Sequence, residues 1–233
     1  MRKIILGIII LVIIIVLGAV AYVARPPKSA TEDIQTGTEV LTPKENESGS
    51  QNLTHYRISQ DASEVEFNIN EVLRGEDFTV VGKTNQIAGD ILLERDNLSN
   101  VEVGTIRINA RTLKTDNPNR DGAISRIILK SEQDQFEFIE FEPTSITGLP
   151  KTADEVSKNP VKITGNLTIA GTTKEVTFNG FLSLLSEEQI SIFVQTTILY
   201  KDFNLTIPEV PFVANVEDEV ILKANINAFR VVE

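Results

Sequence analysis

The chain lacks cysteine and tryptophan altogether and has one histidine and one methionine. Without cysteine there is no disulfide, no thiol nucleophile, no iron–sulfur cluster and no thiolate-held zinc. Positive charge is also scarce, with 22 Lys+Arg against 33 Asp+Glu in 233 residues, a formal charge of −11. That balance excludes a nucleic-acid binder, which needs a basic surface. The lone His55 leaves no histidine pair for a metal and no serine–histidine partnership. A Gly-x-Ser-x-Gly elbow, a Gly-rich phosphate loop and a His-Glu-x-x-His helix are missing as well. Aromatic content is 11 Phe and 3 Tyr, so any core is mainly aliphatic.

What the chain has in excess is apolar aliphatic sequence, unevenly spread. Ile4 to Ala24 is a run of 21 residues without charge, which as a helix would be roughly 31 Å long, the thickness of a hydrocarbon core. It offers no polar face to a soluble core. The expectation is a single transmembrane anchor over residues 1–24, with the rest of the chain outside the cytoplasmic membrane, because a two-residue head is hardly a translocated domain. The alternative is a signal peptide cleaved near Ala19-Val20-Ala21, which would release a secreted protein; the run exceeds a typical signal core. Residues 25–55 carry Pro26-Pro27, Pro43, Gly37 and Gly49 among many polar residues, with isolated apolar residues such as Ile34 and Val40. They read as a disordered tether in which His55 is solvated.

From residue 56 onward the dominant signal has period 2. Val65, Phe67 and Ile69 alternate with polar neighbours, as do Val161, Ile163, Gly165, Leu167 and Ile169. Val176, Phe178, Leu182 and Leu184 follow the turn Ala170-Gly171-Thr172-Thr173, which makes a hairpin. Ile190, Ile192, Val194 and Ile198, then Val220, Leu222, Ala224, Ile226 and Ala228, give two more strands. Less regular runs near 78–93, 100–112 and 135–147 bring the expected count to eight. Two of them change phase, across Gly104 and between Phe138 and Ile139, as bulges would produce. Asp121 is placed to cap one short helix with Ile124, Ile127 and Ile128 on one face.

Eight antiparallel strands, each apolar on one face, form a barrel or a two-sheet sandwich, and closure removes exposed edges. A barrel of that size either fills with its own side chains or holds one small ligand. Paired carboxylates are the one catalytic option left, with Asp90, Glu94, Asp96 and Glu140 as candidates, but alternation puts most such residues on a solvated face. Glu217-Asp218-Glu219 reads as a solvated turn rather than a calcium site. The sequons at Asn46, Asn52, Asn97, Asn166 and Asn204 do not read as a glycan set, since Asn166 falls inside a strand.

The segment Gly165-Asn166-Leu167-Thr168-Ile169-Ala170-Gly171-Thr172-Thr173-Lys174-Glu175-Val176 resembles the signature of the YceI-like family of lipid- and polyisoprenoid-binding proteins. Tyr56-Arg57-Ile58, Gly89-Asp90-Ile91, Arg120-Asp121, Phe138-Ile139-Glu140-Phe141 and Lys201-Asp202-Phe203 fall in the same order. The resemblance implies an all-β, lipocalin-like eight-stranded barrel over 56–233, non-catalytic, holding an isoprenoid or other long-chain lipid and needing no cofactor or metal. The lining is expected to include Phe67, Ile69, Ile106, Ile108, Phe141, Leu167, Ile169, Phe178, Ile192 and Leu222. Arg120 either meets a head group or pairs with Asp121 or another carboxylate. The rival reading is a solid barrel serving as an interaction or adhesion module; a carboxylate-pair glycan-processing enzyme is more distant, and a homodimer is left open. The five basic and five acidic residues of 1–55 cancel, so the whole −11 lies on the barrel.

Overall fold

The computed structural model describes residues 28–29, 33–35, 38, 41, 53–153, 157–209 and 213–232. The expected anchor at 1–24 lies outside the described residues, as does most of the expected tether. Among the described residues no helix is long and apolar enough to cross a membrane.

Alternating residues form long strands where both neighbours in the sheet are available to satisfy the backbone. The order is β1 (Leu53–Ile58), β2 (Glu64–Leu73), β3 (Glu76–Thr84), β4 (Ile87–Ala88), β5 (Asp90–Glu94), β6 (Val101–Val103), β7 (Ile106–Asn109), helix α1 (Pro118–Ala123), β8 (Phe138–Thr147), β9 (Asn159–Ile169), β10 (Thr172–Leu184), β11 (Gln189–Leu199), β12 (Val213–Ala214) and β13 (Glu219–Arg230). These 13 segments make one antiparallel sheet, ten of them in the hydrogen-bonded order β4-β7-β8-β9-β10-β11-β13-β1-β5-β6. The expected count of eight is therefore too low. Two of the eight expected runs are broken, since β3 passes through β4 into β5 and β6 stops at Gly104 before β7, and β1, which bends into β2 at residues 59–63, and β12 lie outside the eight. The phase change at Gly104 is thus a break between strands. At the other expected shift Phe136 lies in a 3-10 turn and β8 starts only at Phe138, with its irregularity at Pro143/Ser145.

β13 organises the fold. It pairs with β11 over its whole length on one side, and on the other with β2 through Val220–Asn225 and with β1 through Ala228–Arg230. Asn227 fastens the bend between β1 and β2, its backbone N–H donating to Ser63 Oγ (2.9 Å) and its side chain to Ala62 O (2.6 Å). The hairpin between β9 and β10 turns on Ala170 and Gly171, both at positive φ (46° and 80°), the two-residue geometry that suits strand twist.

The sheet curls strongly into a half-barrel around two adjoining apolar clusters. Across its seam the described links are the Ile87↔Ile108 and Ala88↔Arg107 pairs and a Lys83↔Lys114 bridge. Strand pairing therefore does not extend along the whole seam, because the free edge of β3 meets α1: the Arg120 guanidinium lies 5.6 Å from the Phe78 ring. Asn117, not Asp121, caps α1, its side chain accepting from Asn119 N, with Pro118 at the first helical position. Asp121 sits inside the helix and accepts from the Thr115 backbone N–H (2.7 Å) and hydroxyl (2.8 Å). α1 continues into a π turn over Ile124–Ile128, which buries Ile124 but leaves Ile127 39% exposed.

Two expectations for the segment before the barrel change. β1 begins at Leu53 and includes His55, whose Nε2 stands 3.1 Å from Asp90 Oδ2, within ion-pair range but off hydrogen-bond alignment. His55 is part of the sheet rather than a solvated linker residue. Ile34 is completely buried, and nearby residues hold to the domain: Lys28 Nζ lies 2.7 Å from Asp134 Oδ1, and the Leu41 N–H donates to Asp90 Oδ2 at 3.3 Å. An apolar residue that reaches the wall is held there by burial, a force that composition does not reveal.

Candidate functional site: an apolar cavity inside the sheet

Period 2 sends one side of each strand inward, and the inward sides do not fill the space. A cavity of about 550 Å³ remains, within the usual range for small-molecule sites. All ten residues expected as lining face it: Phe67 and Ile69 from β2, Ile106 and Ile108 from β7, Phe141 from β8, Leu167 and Ile169 from β9, Phe178 from β10, Ile192 from β11 and Leu222 from β13. Their arrangement follows the register, which sets Ile106 opposite Phe141 and Phe141 opposite Leu167. Phe141 and Phe178 meet edge to face at 5.1 Å, a favourable aromatic geometry. Gly165 permits this, because a β-carbon there would come 2.7 Å from the Phe141 ring.

Sequence reasoning missed part of the lining. Leu205, Ile207, Pro208, Val213 and Val216, from the irregular stretch before β13, close one end together with Ile124 and Ile128 of the π turn. No period marks an irregular segment, so only tertiary contact reveals it. Glu71 was also missed, although it continues the inward series Val65, Phe67, Ile69 and is buried at the same end.

Arg120 lines that end too. It pairs with Asp116 at 2.5 Å and Glu71 at 3.3 Å, not with Asp121. Of the carboxylates singled out as catalytic candidates, Asp96 is exposed and away from the cavity, and the rest are engaged elsewhere. Asp90, on the β4–β5 run, receives Arg57 Nε at 2.8 Å and Nη2 at 2.9 Å. Burial alone would push the Asp90 carboxyl up, but the hydrogen bonds and charge of Arg57, with the charge of His55, outweigh it and hold it below the usual range. Glu140 pairs with Arg107 at 3.1 Å, and Glu94 accepts from Asn100 Nδ2 at 2.8 Å. Glu217 accepts from Asn70 Nδ2, and Asp218 pairs with Lys201 at 2.6 Å. Among the described residues no group of three or more His, Cys, Asp or Glu is arranged to hold a metal.

A second polar cluster lies beside β7. The Arg111 side chain is fully buried, with Nη1 2.7 Å from Glu137 Oε2, Nη2 2.6 Å from Asp134 Oδ1 and Nε donating to Ser131 O at 2.6 Å. It fixes the segment between α1 and β8 and does not line the cavity.

The model of the YceI-like domain matches residues 56–228, three quarters of the chain, which is the curled sheet from the second half of β1 to Ala228 in β13. The chain belongs to the YceI-like domain family. Among solved structures, the YceI-like domain resembles a polyisoprenoid binding domain from Saccharophagus degradans implicated in plant cell wall breakdown, with a TM-score of 0.58 and 12% identity over 77% of this chain and 99% of that one. It also resembles BcnA of Burkholderia cenocepacia, with a TM-score of 0.57 and 14% identity over 73% of this chain and 98% of that one. At these identities the likeness concerns the fold. Comparison with curated proteins finds no match.

Proposed function

We propose that this YceI-like domain is a non-catalytic binding protein that holds one isoprenoid or other long-chain lipid within its curled sheet. The observation that carries the proposal is the apolar cavity of about 550 Å³, bounded chiefly by aliphatic and phenylalanine side chains from all thirteen strands and the π turn. A solid interaction module would leave no such space. Transfer of a hydrocarbon chain from water into it would be driven by roughly 25 cal/mol per Å² of apolar surface buried. The polyisoprenoid-binding description of the Saccharophagus degradans domain supports the same ligand class. None of the four carboxylates that suggested glycan chemistry lines the cavity; Asp90, Glu94 and Glu140 are engaged with Arg57, Asn100 and Arg107, and Asp96 is exposed. The apolar run Ile4 to Ala24 supports a further part of the proposal, that the domain is held by a single anchor on the outer side of the cytoplasmic membrane.

Solvent extraction and mass spectrometry of the purified full chain test the binding. Wild type is expected to carry a long-chain lipid that a Leu222→Trp variant, with its cavity filled, carries far less of. A folded wild type that yields no more lipid than that variant, and whose Tm does not rise with added prenyl alcohol, would sink the proposal. Protease added to intact spheroplasts is expected to degrade the domain; full protection would place it inside.

A further inference from the structure

The inward face of the sheet carries almost no charge, which makes the one exception informative. Glu71 shares its strand face with Val65, Phe67 and Ile69, is buried, and lines the cavity where Arg120 and Asn119 do. Glu66 and Lys223 also border the cavity but lie on the alternate face, paired with each other at 2.9 Å. Among the described residues the charged groups on the inward side of the cavity are therefore Glu71 and Arg120, and these are what a polar end held at that end of the cavity meets.

The charge at that cluster is not positive. Among the described residues Arg120 is the one cation in that cluster, and it already faces two carboxylates, Glu71 at 3.3 Å and Asp116 at 2.5 Å. The irregular stretch that closes the same end carries no cation left over to offset them: its Asp218 is matched by Lys201, and its Glu209 and Glu217 are exposed. A phosphate or carboxylate entering here would be placed against a buried like charge, where screening by water and salt is weak. An uncharged oxygen would not be repelled, and it can accept from the guanidinium N–H groups that the two carboxylates leave over.

We infer that the Glu71–Arg120–Asp116 cluster makes the cavity selective for chains ending in an uncharged oxygen, a hydroxyl or carbonyl, and excludes chains ending in phosphate or carboxylate. This rests on the binding proposal above and narrows its ligand class. The selectivity comes from an unfavourable contact with the wrong ligand rather than an added attraction for the right one.

Displacement of tritiated geranylgeraniol from the full chain by unlabelled geranylgeraniol and by geranylgeranyl phosphate separates the two claims. The phosphate is expected to compete about tenfold less well or worse, as like charge at a partly buried site implies. In Glu71→Gln the phosphate should gain and the gap should narrow. Asp116→Asn, at an exposed rim position where folding is not at stake, should narrow it in the same direction and by less. Equal or tighter competition by the phosphate in wild type overturns the inference while leaving lipid binding intact. A gap that neither variant narrows also overturns it, since the head group would then sit elsewhere. Absence of saturable binding of the labelled alcohol would sink the binding proposal and this inference together.

Discussion

Phe67 and Gly82 face each other across β2 and β3, and the Phe67 ring occupies the place where a β-carbon on residue 82 would stand. The inward side of β3 at this point is supplied by β2. Ordinarily Gly→Ala in a strand stabilises by roughly 0.5–1 kcal/mol through reduced unfolded-chain entropy. Here Gly82→Ala must drive the ring toward the cavity, so the expected result is a net loss of about 1–3 kcal/mol, read from urea unfolding, together with weaker retention of lipid. A variant more stable than wild type would mean that the ring swings aside freely.

The buried pair of Arg111 and Glu137 gives the second prediction. Their side chains are 0% and 2% exposed, so Glu137→Gln removes the buried counter-charge of an interior guanidinium and leaves it the exposed Asp134 among the described residues. Removing one partner of a buried pair costs about 3–5 kcal/mol; the remaining partner makes the lower figure the expectation. The midpoint of urea unfolding should fall with little change in slope. A loss below about 1 kcal/mol would show that Asp134 and the Ser131 carbonyl suffice.

Acid should weaken the domain through two carboxylates. Glu66 is held at about 2, against an ordinary 4.5, chiefly by its hydrogen bond to Lys223, with burial opposing and Lys83 adding to the effect. Asp90 is likewise depressed, with Arg57 and His55 overcoming burial. A depressed carboxylate binds fewer protons when folded than when unfolded, so its contribution is complete above the unfolded value and is lost as pH falls toward the folded one. Stability is therefore expected to decline from about pH 4.5 toward pH 2. Glu66→Gln should flatten that decline, and Asp90→Asn should remove the part due to Asp90. Parallel curves for wild type and both variants would contradict the assignment.

Ile34 distinguishes a docked segment from a free tether. Its side chain is fully buried, so Ile34→Ala should cost about 2–4 kcal/mol, in the range for large-to-small core changes. The same change in a solvated linker would have no measurable effect on thermal unfolding, and such a result would show that the docking is marginal.

Much of this was legible because a strand's period of 2 is a local property. The alternation in 64–69, 161–169, 176–184, 190–198 and 220–228 fixed which side chains share a face, and all ten residues expected to line the interior do line the cavity. The turn at Ala170-Gly171 was equally local, since few sequences accept two successive positive φ values. Arg120 drew attention through its place in the Arg-Asp pair, but its partners, 4 and 49 residues away, depended on how α1 meets β2 and β3.

The sequence alone thus determined the strand faces, the aliphatic character of the interior, the absence of thiol and histidine chemistry, and the concentration of negative charge on residues 56–233. Only the tertiary structure decided how many segments the strands break into, that the inward side chains leave a cavity, and that the stretch before β13 closes one end. It also decided that Ile34 is buried and that His55 and Arg57 flank Asp90. The division has a physical cause. Alternation and turn chemistry act between residues close in sequence, whereas the volume left inside a curled sheet and the pairing of buried charges depend on segments brought together from many parts of the chain.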